Sequence, residues 1–485
     1  MLNEVYATLD SSLVPKYKQT KKILDYVHGF ITIDNFYFKF IDTPQFQRLR
    51  DLYQLDTGNF VFHCANHSRL EHSFGTYYLT NKFINHLNEY QPFLNITKSN
   101  ENSLLISALC HNLGHPPFSN AFTAFCKDNL QINFSHQEMS TKILHNILDT
   151  QGIDPDTSKE NEQFDVKLIE SIINNKRNNK QDNYINVYQQ LVTNTSNGIN
   201  ADIFDYLRRD SYKFGFPQQS FEFQILLDNS LVIDNDICYR AQDAYSVYDL
   251  FMSKFLMSKK FYLHRVAKGI ELMIKDVFIE SNSYFNYLNY INDLGLYTKF
   301  NDSILNHIYR HKSKKLEKAK QIIDNIYKRN FYTFVGEYDS TDLKKNFDTF
   351  NEETLLKYTS SKEEPLKKEE IRVLKLKLNL GENEKDPMDN VLFYDTNLNK
   401  IKYKSEEISH LLPHKYQENI IRVYLTTNNR QKLNSAQQAL INYCKEIKTA
   451  PILYKSEKKN TGHILEYKFD SNLIRSSLDL FSKID

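Results

Sequence analysis

The chain has 485 residues, 41% of them hydrophobic and 25% charged, which is enough for two or three globular domains or one large domain with a satellite lobe. With 61 Lys and Arg against 60 Asp and Glu, the net charge of +1 gives no global field to draw in nucleic acid or an anionic membrane. Only 12 Gly and 11 Pro are present, which disfavours a sandwich of many tight turns and favours helix.

The first residues, M-L-N-E-V-Y, lack the basic and apolar regions of a secretory signal, and no apolar run approaches the roughly 18 residues of a membrane span. The five cysteines (Cys64, Cys110, Cys126, Cys238, Cys444) are dispersed, odd in number and without CxxC spacing. They read as reduced thiols of an intracellular protein, cytoplasmic or nuclear.

In chain order, Gly29 to Phe40 (G-F-I-T-I-D-N-F-Y-F-K-F) alternates β-branched and aromatic residues and predicts a short hairpin. The D-T-P-Q run that follows is a helix start, with Asp42 or Thr43 as cap and Pro44 in the first turn. Leu79, Phe83 and Leu87, then Leu104, Leu105, Ala108 and Leu109, recur at helical spacing, the second stripe running into His111. Residues 260–279 predict another amphipathic helix. After about residue 335 the composition shifts. The polar stretch 358–370 predicts an exposed linker, 372–380, 390–394, 420–425 and 462–468 predict strands, and 432–447 predicts a helix. The expected fold is mainly α: a helical core over 1–285 and a smaller C-terminal α+β lobe over 286–485, with a helical connector (286–335) and a strand-rich part (336–475).

Four segments concentrate metal-ligand and acid–base residue types. They are S-R-L-E-H-S-F-G (68–75), C-H-N-L-G-H-P-P-F-S-N (110–120), F-S-H-Q-E (134–138) and N-G-I-N-A-D-I-F-D-Y-L-R-R-D (197–210). They offer His72, His111, His115, His136 and Asp202, with Arg69 nearby. Imidazoles with a carboxylate suit Zn, Fe or Mn, and a bound metal acidifies water. Further histidines can protonate a leaving oxygen. Taken singly, each of these histidines reads more readily as a packed or surface residue than as a ligand. His111 and His115 share a helical face only if the helix continues, and Gly114 and Pro116 stop it.

In combination, and together with D-Y-V-H-G (25–29), I-D-T-P-Q-F-Q-R-L-R (41–50), R-N-F-Y-T-F-V-G-E (329–337), E-K-D-P-M-D-N-V-L-F-Y (384–394) and L-L-P-H-K-Y-Q-E-N-I-I-R-V-Y (411–424), these segments resemble the HD-domain deoxynucleoside triphosphate triphosphohydrolases. The resemblance is to the eukaryotic type that often carries a sterile-alpha-motif domain, of which no counterpart is read here. It covers nearly the whole chain in the family's order. It implies a helical HD-domain core and release of triphosphate from a dNTP, leaving a deoxynucleoside. It also implies a divalent metal (Fe, Mn or Zn, or Mg) at His72, His111, Asp202 and the Asn112 position, with His115 and His136 in acid–base or charge-stabilising roles. Arg69 and Lys254 would meet the phosphates, and Gln54, Leu55, Tyr206, Asp210 and Tyr262 would surround the sugar.

Three residues depart from the family's pattern. Asn112 stands where the second residue of the His–Asp doublet is expected, Asn120 where a proton-donating His is expected, and Ile203 where a Lys meets phosphate. Losing one anionic ligand makes a bound metal more Lewis acidic but weakens its affinity, and the affinity loss is expected to dominate. Two functional readings follow: a dNTP triphosphohydrolase of reduced activity, or a catalytically inactive HD-fold nucleotide sensor or scaffold with no metal. A third, a phosphodiesterase or nucleic-acid-binding HD protein, gains nothing from the charge. The basic run at 312–320 reads as a solvated helix face. The resemblance also implies nucleotide activation at subunit junctions. Asp42, Gln47 and Arg50 match a GTP or dGTP site, and Arg240 and Lys320 match further phosphate positions. Gln242, Ile225 and Asp324 replace basic residues there. A homodimer is expected, with a nucleotide-driven homotetramer as the alternative.

Overall fold

Thr20–Asp25 and Gly29–Asp34 form an antiparallel hairpin with Asp25 opposite Gly29. Gly29 takes φ +72°, and Asp25 Oδ1 accepts the N–H groups of Val27 and His28, closing the turn. The hairpin expected over Gly29–Phe40 is therefore displaced toward the N-terminus. Alternation stops at Asp34, whose carboxylate accepts the N–H of Phe36 and starts a 3₁₀ turn (Asn35–Tyr37) and a short helix (Phe38–Ile41). Phe36, Tyr37, Phe40 and Ile41 are all buried, a helical spacing that the β-rich composition disguises. This computed structural model describes residues 20–454 apart from 158, 176–182, 195, 217–222, 361–362, 382–383 and 411–412.

Thr43 caps the next turn through Oγ1 to the N–H of Phe46, with Pro44 at its first position, as the D-T-P-Q reading requires. The long helix Arg69–Tyr90 packs against Lys98–Cys110 and against Ala201–Lys213. Leu79, Phe83, Leu87, Leu104, Leu105, Ala108 and Leu109 are all buried between these layers. Lys98–Cys110 ends just before His111, as Gly114 and Pro116 predict. Gly114 has a second function. A Cβ there would lie 2.1 Å from the carbonyl oxygen of His136 and 2.3 Å from the backbone nitrogen of Ser140. Only glycine lets the 111–115 loop rest on the first turn of the His136–Gln151 helix.

The helix expected over 260–279 runs from Arg265 to Phe285 after a π turn at Ser258–Tyr262, and it packs on Ser119–Phe125 and Glu317–Tyr327. Beyond it, Gln417–Leu425 pairs antiparallel with Thr333–Asp339 on one side and with Ile371–Asn379 on the other. Helix Arg430–Glu446 packs on Thr333–Asp339. The strand expected at 390–394 shrinks to Phe393–Tyr394, because Asp386 caps a 3₁₀ turn at Pro387–Asn390. That short strand runs parallel to Tyr239–Arg240, a pairing between distant segments. The strand expected at 462–468 lies outside the described residues. The chain through Ile452 forms one compact unit. Among the described residues no helix is long and apolar enough to cross a membrane.

Candidate metal centre and adjoining cavity

His72 sits in the first turn of the Arg69–Tyr90 helix and is 1% exposed. Its Nδ1–H donates to Asp205 Oδ2 at 2.7 Å, and its Nε2 lies 2.8 Å from Asp202 Oδ1. Both aspartates come from the start of Ala201–Lys213, Asp202 in its first turn and Asp205 three residues on, and Asn200 caps this helix through the N–H of Ile203. His111, just past the end of Lys98–Cys110, donates Nδ1–H to the Ala108 carbonyl at 2.8 Å, and its Nε2 lies 3.4 Å from Asp202 Oδ1. The donor atoms of His72, His111 and Asp202 fall within 4.8 Å of one another.

This donor set fits a divalent cation. Each imidazole has its Nδ1 engaged by an acceptor outside the triad, which fixes the tautomer and leaves Nε2 on the side of Asp202. Asn112 borders the same point. Its Nδ2–H donates to His111 Nε2 at 2.7 Å, where an aspartate could only accept.

Asp205 is fully buried and was not singled out from the sequence, because its part depends on tertiary partners. It accepts from His72 Nδ1, from His28 Nε2 at 2.7 Å, and from Arg209 Nε and Nη2 at 2.9 Å each, while Arg209 Nη1 reaches Asp25 at 2.8 Å. The network passes through space that Gly75 leaves open, since a Cβ on Gly75 would lie 1.8 Å from Asp205 Oδ1. Burial raises the carboxyl pKa values of Asp202 and Asp205, but His111 and His72 for the former, and Arg209, His28 and His72 for the latter, hold both well below the usual range. Burial likewise opposes a charge on His72, and the two aspartates outweigh it, raising that imidazole to about 9.

A cavity of about 290 Å³ adjoins this centre. Of the residues expected around the site, Gln54, Arg69, His72, His111, Asn112, His115, His136, Asp202 and Tyr206 line it. The rings of His115 and His136 stack with centroids 3.9 Å apart and planes at 20°. Burial lowers both pKa values, with Arg69 adding, so that His136 falls to about 4 and His115 well below its ordinary value. Two neutral imidazoles and one guanidinium therefore face the cavity at neutral pH. Arg69 is itself held 3.5 Å from Asp56.

Leu55, Asp210, Lys254 and Tyr262 do not line this cavity. Asp210 is one turn beyond Tyr206 and accepts from Tyr262 OH and His67 Nε2, each at 2.7 Å. The other two departures also stand apart from it. Asn120 is exposed, and Ile203 is 3% exposed within the core. Sequence reasoning missed the rest of the lining, Gln137, Ile173, Asn175, Thr193, Asn194 and Asn200. Amides and a threonine carry no signal of their own.

A family model for the HD domain matches residues 69–209, the span that contains both imidazoles and both carboxylates. The chain is 37% identical over 439 residues to the deoxynucleoside triphosphate triphosphohydrolase SAMHD1 homolog of Dictyostelium discoideum, covering 90% of this chain and 82% of that protein. It belongs to the HD-domain family of SAMHD1-like deoxynucleoside triphosphate triphosphohydrolases. Human SAMHD1 is 31% identical, with 89% of this chain and 75% of that protein aligned. A putative HD domain-containing protein of Acanthamoeba polyphaga mimivirus is 28% identical over 76% of this chain.

Within this SAMHD1-like frame, the residues expected to read an activating nucleotide are engaged within the chain itself. Arg50 Nε donates to Gln47 Oε1 at 2.6 Å, Gln47 Nε2 to the Ile41 carbonyl at 2.8 Å, and Lys21 to Asp42 at 3.2 Å. Arg240 pairs with Asp243, and Lys320 donates to the Ser313 carbonyl at 3.3 Å. Ile225 is 42% exposed, and Asp324 pairs with Lys328.

Proposed function

We propose that this chain is a metal-dependent dNTP triphosphohydrolase, slowed by Asn112. The observation that carries the reading is the pair of imidazoles, each pinned through Nδ1, whose Nε2 atoms face Asp202 beside a cavity lined by Arg69, His115 and His136. His72, His111 and Asp202 would hold the cation, with Asn112 in the remaining ligand position. A divalent cation there supplies Lewis-acid activation of a phosphoryl group and acidification of water.

The chain's own residues do the rest. Arg69, buried and tethered to Asp56, presents a fixed positive charge to a phosphate tail. The His115–His136 pair is neutral, so either ring can accept a proton, and one protonated beside phosphate can return it to the leaving 5′ oxygen. Tyr206 lines the cavity, and the bonded Tyr262–Asp210 pair lies near it, a hydroxyl and carboxylate grouping we assign to the sugar. The relatives' names supply the substrate class, dNTPs. Asp42, Gln47, Arg50, Arg240 and Lys320 are proposed as sites of an activating guanine nucleotide in a homo-oligomer.

The test is incubation of the full chain with each dNTP and Mg, Mn or Fe, assayed for inorganic triphosphate, with and without GTP or dGTP. Release of triphosphate with at least one metal is expected; none under any combination overturns the reading.

One contact favours a second reading, that of a nucleotide sensor without turnover. The Asn112 amide donates to the nitrogen that a metal would need on His111. Comparison with Asn112→Asp separates the two. A sensor binds dNTPs without hydrolysis until the carboxylate is restored, whereas a slowed enzyme has measurable turnover before restoration.

A further inference from the structure

The helix Ser119–Phe125 opens on three successive backbone N–H groups met by two buried carboxylates. Phe118 donates to Asp302 Oδ1 at 2.8 Å, while Ser119 and Asn120 donate to Asp56 Oδ1 and Oδ2 at 3.1 and 3.3 Å. Phe118 takes φ +44°, a left-handed conformation that a bulky residue keeps only when its surroundings hold it there. The other oxygen of Asp302 accepts the N–H of Tyr53 at 2.7 Å, and the N–H of Asp302 donates to the Asp51 carbonyl at 3.0 Å.

A single carboxylate thus joins two stretches of chain. One runs directly into Gln54 on the cavity wall. The other follows His115, whose Nδ1 lies 2.8 Å from Ser119 Oγ. Arg48 completes the frame from behind, donating to the carbonyls of Phe300, Leu113 and His115 at 2.7, 3.1 and 2.8 Å while its guanidinium lies over the Tyr297 ring.

The two accepted bonds are strongest to an ionised carboxyl. When protonated, one oxygen becomes an O–H donor and a far weaker acceptor, so the bond from either Tyr53 or Phe118 is largely lost. Burial raises the Asp302 carboxyl to about 7, with Asp56 adding to the effect and the Tyr53 and Phe118 amides and Arg69 opposing it. The charged groups facing it are Asp56, Arg69 and Arg48, while Asp51 turns its own carboxylate to Asn301 at 3.2 Å.

We propose that Asp302 is a positioning residue, whose carboxylate clamps the Tyr53–Gln54 stretch and the His115–Ser119 turn into one wall, so that nucleotide binding depends on its ionisation. The inference takes from the preceding reading only that the ligand is a nucleotide.

The test uses the full chain with saturating Mn, as found and as Asp302→Asn, between about pH 6 and about pH 8. Two quantities are measured: affinity for each of the four α,β-methylene dNTPs, and hydrogen exchange of peptides spanning 51–55 and 115–120, corrected for the intrinsic rate. In the natural chain, affinity is expected to rise and both peptides to become more protected as the pH passes through about 7. In Asp302→Asn the exchange profile is expected to be flat and the affinity profile shallower than the natural one, with affinity at the upper pH about tenfold weaker, the scale of one charged hydrogen bond. A variant that keeps the natural pH profile overturns the proposal, and so does one whose exchange changes while its affinity profile does not. If the variant fails to fold, the natural chain decides: two peptides that do not change together across this range overturn the clamp. If no analogue binds at any pH, the nucleotide reading itself fails, and the exchange profile still judges the clamp.

Discussion

His72 is suspended between two carboxylates of one helical turn, with Asp205 on its Nδ1 at 2.7 Å and Asp202 on its Nε2 at 2.8 Å. In the metal-free protein this arrangement raises the imidazole from 6.5 to about 9, so at neutral pH Nε2 carries the proton that a cation must displace. Apparent metal affinity is therefore expected to climb by up to about tenfold per pH unit between those two values, with release of about one proton per ion. The stability consequence has the opposite sign. The raised value stabilises the metal-free fold fully below 6.5, and that contribution is lost as the pH rises through about 9. Calorimetric titration with Mn in buffers of different ionisation enthalpy checks the first claim. Thermal unfolding with and without Mn checks the second, the metal-free midpoint falling over this range.

Asp205→Asn should weaken metal binding by about 10–100-fold although Asp205 is not itself a candidate ligand, because the amide can present N–H to His72 Nδ1 and turn the ring or its tautomer. The same change leaves Arg209, buried and bonded to Asp205 through two nitrogens, short of its partner, at a cost of roughly 3–5 kcal/mol. Metal affinity and the denaturant midpoint report the two effects separately. Unchanged metal affinity in a folded Asp205→Asn protein would refute the role given to the network.

Asn112→Asp should raise metal affinity by about tenfold or more and increase triphosphate release with it, since it returns an anionic ligand and removes the donor now facing His111 Nε2. Elemental analysis of the purified variant beside the natural chain, with parallel turnover assays, decides this. Equal metal content and equal rates would show that position 112 does not limit the chemistry.

Gly75→Ala should destabilise, against the ordinary rule that Ala within a helix is better than Gly by about 1 kcal/mol. The added methyl would meet Asp205 Oδ1 at 1.8 Å and Arg209 Nη2 at 2.5 Å, both immobile. A net loss of about 1–3 kcal/mol in chemical denaturation, with weakened metal binding, is expected. A stabilised variant would mean that Asp205 can move aside.

The helical layers were legible because their apolar stripes are long and periodic, and the histidines because four short segments gather them. The hairpin was misplaced since Phe36, Phe38 and Phe40 continue the strand's composition after Asp34 has already capped a turn. Strand 393–394 was overextended because Asp386 starts a 3₁₀ turn that takes up Pro387–Asn390, and the strand's partner, Tyr239–Arg240, lies some 150 residues away. Asp205, His28 and Asp302 carry no local signature. Each is one acidic or imidazole residue among many, and what marks them is burial and the atoms they meet. The amide wall at Asn175, Thr193, Asn194 and Asn200 was invisible for the same reason.

Arg48 grips the turn that bears His115 only by main-chain carbonyls, at Leu113 and at His115 itself. The path of that turn is thereby uncoupled from part of its lettering. Of the positions between Leu113 and Phe118, Gly114 is fixed by space and both prolines are buried, which leaves the His115 side chain as the one that Arg48's grip does not depend on. A substitution at His115 is therefore expected to change what faces the cavity without redirecting the main chain that carries it.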